Sequence, residues 1–177
     1  MKTMRNYLAL FIAVAALTIG ACGGSDDDKD MTLPVISGDG IVANPVNCQV
    51  YHLGDTIRLS YLFTDNQELG NYHVEIHGNF DHHSHSTEAD PHDHEGEGEC
   101  PEEHGEEQRL LPDTAWVFGQ TYRIDPGLRV HHAQQDIVVP RTFLSANTRC
   151  GDYHFMIRLT DRTGNQQLKA VAIKIEP

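Results

Sequence analysis

Between residues 56 and 77 apolar and polar side chains alternate with a period of two. Ile57, Leu59, Tyr61 and Phe63 alternate with Thr56, Arg58, Ser60 and Thr64, and then Tyr72, Val74 and Ile76 alternate with His73, Glu75 and His77. The period returns in Tyr153, Phe155, Ile157 and Leu159, set against His154, Met156, Arg158 and Thr160, and closes with Val171, Ile173 and Ile175. Successive side chains of a strand point to opposite faces, so this pattern predicts half-buried strands. Weaker strands fit 41–46, 116–124 and 137–139, with turn signals at Asp65-Asn66, Asp125-Pro126-Gly127 and Thr163-Gly164-Asn165. Seven short strands in roughly 120 residues, without an amphipathic helix, predict an all-β fold, an immunoglobulin-like β-sandwich.

Two segments break the alternation. The first is N-terminal, where Lys2 and Arg5 precede a mostly apolar run over 7–19. That run is short for a bilayer span but suits the hydrophobic region of a signal peptide. It ends in Ile19-Gly20-Ala21-Cys22, which resembles a bacterial lipobox. Cleavage there leaves Cys22 as a diacylglycerol-bearing N-terminus, and two or three acyl chains on one residue anchor a protein stably to a membrane. Gly23-Gly24-Ser25-Asp26-Asp27-Asp28-Lys29-Asp30 then reads as a polar tether. Its acidic run resembles the export signal that carries lipoproteins of Bacteroidetes-type bacteria to the outer face of the outer membrane. The expected organisation is a signal peptide over 1–21, a flexible acidic tether over 22–33 and a sandwich over 34–177, lipid-anchored and exposed at the cell surface.

The second break holds most of the charge. The chain has 177 residues, enough for one domain, of which 39% are apolar and 22% charged, so it can bury a core. Lys and Arg number 13 against 26 Asp and Glu, for a formal charge of −13. A surface so acidic repels phosphate backbones and excludes nucleic acid as a partner. Loss of Lys2 and Arg5 with the signal peptide would move the charge to −15, and residues 81–107 supply eleven of the acids with no Lys or Arg, leaving −4 elsewhere. Eight of the twelve His lie between His73 and His104. The stretch 81–108 has no apolar period and is expected to be a His- and acid-rich loop inserted into the sandwich.

Three motifs together resemble one family. The lipobox with its acidic tether is followed by Val74-Glu75-Ile76-His77-Gly78-Asn79-Phe80-Asp81-His82-His83-Ser84-His85. Gly151-Asp152-Tyr153-His154-Phe155 then runs on to Asp161-Arg162-Thr163-Gly164-Asn165. This combination is similar to the lipoproteins grouped as domain of unknown function 4625, over most of the chain that follows the signal peptide. The resemblance implies a surface lipoprotein with an Ig-like domain and supplies no activity. The acidic extension over 88–107 exceeds what the family pattern requires.

Imidazole nitrogens mixed with carboxylates suit Zn, with Ni or Cu(II) as alternatives, rather than Ca or Mg. His83-x-His85 and His92-x-His94 are each short enough to chelate one ion. His73 and His77, four residues apart on a strand, are separated by roughly 13 Å and cannot share an ion. In an Ig-like topology the strand holding His77 lies antiparallel to the one holding His154, with both His on the outer face at one end. A convergent site of His77, His154 and one or two of His82, His83 and His85 follows, with Glu75 as a carboxylate neighbour. His52, His131 and His132 lie on other segments and are expected to be ordinary surface groups. Three Cys remain beyond Cys22. A Cys48–Cys150 disulfide is the favoured pairing in an oxidising compartment, leaving Cys100 as a soft ligand, a redox handle or the true partner of either.

No nucleophile-elbow sequence, Gly-rich phosphate loop or His-Glu-x-x-His helix is visible, so an enzyme is not expected. Two functions fit. One is a surface-anchored lipoprotein that captures or buffers a divalent transition metal, zinc first, and delivers it to an outer-membrane transporter. The other is an Ig-like adhesion or ligand-binding module whose acidic loop is only a spacer.

Overall fold

The computed structural model describes residues 30–80 and 113–177. The strands in chain order are β1 (Val35–Ser37), β2 (Gln49–His52), β3 (Thr56–Thr64), β4 (Leu69–Gly78), β5 (Asp113–Thr114), β6 (Phe118–Arg123), β7 (Val130–Val138), β8 (Thr142–Phe143), β9 (Ala146–Thr148), β10 (Gly151–Asp161) and β11 (Gln166–Glu176). A three-stranded sheet, β1-β3-β7, packs on a five-stranded sheet, β2-β11-β10-β4-β6, and β5-β9-β8 form a small third sheet. The fold is an all-β sandwich. No helix among the described residues is long and apolar enough to cross a membrane.

The period-two alternation is what brings the two large sheets together. Ile57, Phe63, Val74, Ile76, Phe155, Ile157 and Ile173 all have their side chains sealed between the sheets. Each such side chain contributes about 1.5–3 kcal/mol on leaving water. Phe63 of one sheet meets Tyr72 of the other edge-on, with ring centroids 5.1 Å apart. Buried tyrosines need partners for their hydroxyls. Tyr61 donates to the Pro45 carbonyl, and burial pushes its phenol up to about 12. The Tyr153 hydroxyl accepts from the Trp116 amide at 3.1 Å and donates to the Arg149 carbonyl at 2.6 Å.

The four strongest sequence-predicted strands form as β3, β4, β10 and β11, and 116–124 contains β6. The segment 41–46 does not form a strand; Asn44 makes a single bridge to Ser60. Pro45 follows it and has no N–H with which to continue a ladder. β7 is three times longer than the 137–139 expected from the pattern. Its inward positions are His131, Ala133, Gln135 and Ile137, and two polar side chains there hide the alternation; Gln135 donates to the Tyr72 hydroxyl at 3.0 Å. The folded region also starts earlier than residue 34. Asp30 is only 5% exposed, and Asn165 Nδ2 donates to the carbonyls of Asp30 and Thr32 at 3.0 and 3.2 Å. The expected tether over 22–33 therefore loses its last four residues to the domain.

The Cys48–Cys150 bond is not made. Cys48 leads into β2, and its amide bonds the Ala172 carbonyl of β11. Cys150 precedes β10, on the other side of β11, and lies beyond the Gly151–Ile175 register pair. Two strand spacings sideways and four residues along separate them by roughly 16 Å, whereas a disulfide needs Cα atoms within about 7 Å. Cys22 and Cys100 lie outside the described residues.

Candidate metal centre

The site is set by the register of β4 against β10, in which His77 lies directly opposite His154. Both strands turn their apolar sets inward, so the two imidazoles share the outer face of the five-stranded sheet. Their ring centroids are 5.5 Å apart at an interplanar angle of 88°. Two imidazoles bound tetrahedrally to one zinc through nitrogens about 2.0–2.1 Å from it would hold their centroids roughly 5 Å apart, close to the separation of this pair. His154 is 9% exposed and Met156, on the same face, 6%. Water is thus largely kept from this end of the face. Ala172, opposite His154 on β11, adds only a methyl group to the same row.

Glu75 lies two residues before His77 and on the same face. Its Oε1 is 3.0 Å from His77 Nδ1, an ion-pair approach rather than an aligned hydrogen bond. A carboxylate beside Nδ1 favours the proton on that nitrogen, the arrangement by which carboxylates orient metal-binding histidines.

Phe80 determines how the chain leaves this site. The Asn79 amide bonds the Asp152 carbonyl at 2.8 Å, and the Phe80 ring folds back over the strand end, edge-on to Tyr153 at 5.4 Å. The Arg149 guanidinium carbon sits 3.8 Å from the ring centroid. Only glycine fits beneath the ring: a Cβ on Gly78 would fall 2.3 Å from Phe80 Cε2, and one on Gly151 2.9 Å from Cε1. The Gly-Asn-Phe sequence thus packs Phe80 against the core at the end of β4. His82, His83, His85, His92 and His94, the other expected ligands, lie outside the described residues.

His73 is not brought to the pair. It lies opposite Arg158 in the register, where a fixed cation disfavours a metal ion, and its Nδ1 is 2.8 Å from Thr121 Oγ1. His132 Nε2 is 3.0 Å from Ser60 Oγ. His52 sits between Asp55 and Glu176 at 3.6 and 3.8 Å. His131 differs from a surface group. It faces inward, with its ring 6.2 and 6.1 Å from those of Phe63 and Tyr72, and burial lowers its pKa against an upward pull from Asp125.

A second cluster was not foreseen. One carboxylate oxygen from each of Asp30, Asp65 and Asp161 lies within 4.8 Å of the other two. A signal for it exists in the sequence: Asp65 and Asp161 each extend the inward-facing series, 57-59-61-63 and 153-155-157-159, by one step.

The family model described as Domain of unknown function (DUF4625) matches residues 21–176. No curated protein matches the sequence. Among solved structures, the sporulation control protein Spo0M from Bacillus subtilis is 8% identical, with a TM-score of 0.39. The match covers 83% of this chain and 51% of Spo0M, so the chain spans about half the length of that protein. At that similarity it carries no argument about function.

Proposed function

This chain belongs to the DUF4625 family, and we propose that it is a lipid-anchored protein of the outer cell surface that captures a divalent transition metal, zinc first. His77 and His154 are its strand-borne ligands, Glu75 orients His77, and one imidazole from His82, His83 or His85 completes the set. The observation that carries the reading is the directly opposed His77–His154 pair with a carboxylate on one member. Strands are stiff, so two ligands are positioned before the ion arrives and less ordering cost is left to binding. The Tyr153 hydroxyl bonded to a carbonyl four residues upstream supports an Ig-like sandwich, where such a tyrosine marks the start of the corresponding strand.

The placement of the two ends supports surface capture. Asp30, where the tether joins, packs near Asp161, while His154 lies seven residues away along β10, roughly 23 Å. A lipid on Cys22 would hold the Asp161 end toward the membrane and turn the histidine end outward, where an importer could collect the ion.

Zinc titration calorimetry on the untagged protein tests the assignment. His77→Ala and His154→Ala should each abolish the same single high-affinity event, whereas His52→Ala and His132→Ala should leave it intact. If both strand variants bind zinc as the parent does, the strand pair is not the site.

A further inference from the structure

We propose that Asp30, Asp65 and Asp161 form a calcium site that fastens the start of the folded domain, and with it the membrane tether, to the base of the sandwich. The three residues come from separate segments: the stretch before β1, the β3–β4 turn and the end of β10. A register shift between Thr160 and Asp161 lets β10 end here, where the Gly70 backbone lies so close that a Cβ would sit 2.7 Å from the Asp161 carbonyl oxygen.

Each carboxylate is held by donors from its own turn. Asp161 Oδ1 accepts from the amides of Thr163, Gly164 and Asn165 at 2.8, 2.6 and 2.8 Å, and Oδ2 from Thr163 Oγ1 and Asn165 Nδ2 at 3.0 and 2.7 Å. Asp65 Oδ2 accepts from the amides of Gln67 and Glu68 at 2.8 and 2.7 Å. Asp30 Oδ1 accepts from the Thr32 amide and Asn66 Nδ2 at 2.9 and 3.1 Å.

The remaining oxygens point to a ligand. Asp30 Oδ2 and Asp65 Oδ1 are sealed from solvent and meet no hydrogen-bond donor among the described residues, and Asp30 as a whole is 5% exposed. A buried acceptor without a donor is costly, more so when it is charged. Among the described residues no Lys or Arg forms an ion pair with any of the three. Three carboxylates this close repel one another in a partly desolvated site, and a divalent cation removes both penalties at once. An all-oxygen donor set selects a hard ion. Carboxylate oxygens within 4.8 Å of one another can converge on one ion, and three side chains from separate segments suit calcium, which accepts irregular protein cages, better than magnesium, which demands a near-ideal octahedron and keeps several waters. This differs from the zinc end in chemistry and lies at the opposite end of β10, so neither reading depends on the other.

The test uses the full-length lipoprotein in detergent, titrated with calcium chloride while melting and protease cleavage before residue 30 are followed. Calcium at about tenfold over its Kd should raise the melting temperature by about 4–8 °C and suppress cleavage, with a Kd in the range of about 0.1–1 mM typical of extracellular modules. Asp65→Asn and Asp30→Asn should each raise the Kd at least tenfold; both keep the fold in hand where Asp161→Asn, which disrupts the turn, does not. His77→Ala should leave the calcium response unchanged. A response that survives both Asp variants, an equal response to magnesium, or none at millimolar calcium overturns the site.

Discussion

Replacing Tyr153 by Phe removes one oxygen and keeps the ring that packs beside Phe80 and Trp116. That oxygen serves two backbone groups, the Trp116 amide and the Arg149 carbonyl. Trp116 is 4% exposed, so its amide would be left buried without an acceptor, a loss of about 1–3 kcal/mol. Arg149 is exposed and water can reach its carbonyl, which limits that loss to about 0.5–1 kcal/mol. The expected destabilisation is therefore about 2–3 kcal/mol, or about 4–12 °C in melting temperature for a domain of this size. Urea unfolding should show a lower midpoint at unchanged slope, since the area exposed on unfolding is the same. The parent should also lose stability as the pH climbs above about 10. Burial raises the Tyr153 phenol in the fold, so the unfolded chain ionises first; the stability is fully present below the unfolded value and is lost through the folded one. The variant should lose that share of the alkaline decline. A midpoint within about 0.5 kcal/mol of the parent, or a changed slope, would refute the assignment of two backbone groups to one hydroxyl.

Gly78→Ala puts a methyl group into the Phe80 ring and should cost about 1–3 kcal/mol by overpacking; calorimetry should show weaker zinc binding although every expected ligand remains, and unchanged affinity would detach Phe80 from the site. His131 is held below its ordinary value by burial, so the unfolded chain takes up the proton first as the pH falls. The stability it contributes is present above about 6.5 and is lost below that value. Urea midpoints of His131→Leu between pH 7.5 and 5 should decline less than the parent's, and parallel declines would show that His131 titrates normally in the fold.

The period-two runs were enough to specify β3, β4, β10 and β11, because alternation is local and each apolar set has one face to bury. They also specified the nearness of His77 and His154. Parity assigns a face, chain direction assigns an end, and antiparallel pairing of the two strands does the rest. Other features depend on contacts that no local window contains. β7 hides because its inward His131 and Gln135 find partners in Phe63 of the neighbouring strand and Tyr72 of the opposite sheet, so polarity there reports neighbours rather than exposure. Cys48 and Cys150 are kept apart because β2 pairs in parallel with β11, a choice of edge that the four residues of β2 do not encode. The aspartate cluster is the strongest case. Asp30 reads as part of an acidic tether and Asp65 and Asp161 as turn residues; only the stacking of two sheets brings those turns together and buries oxygens that solvent would otherwise have served.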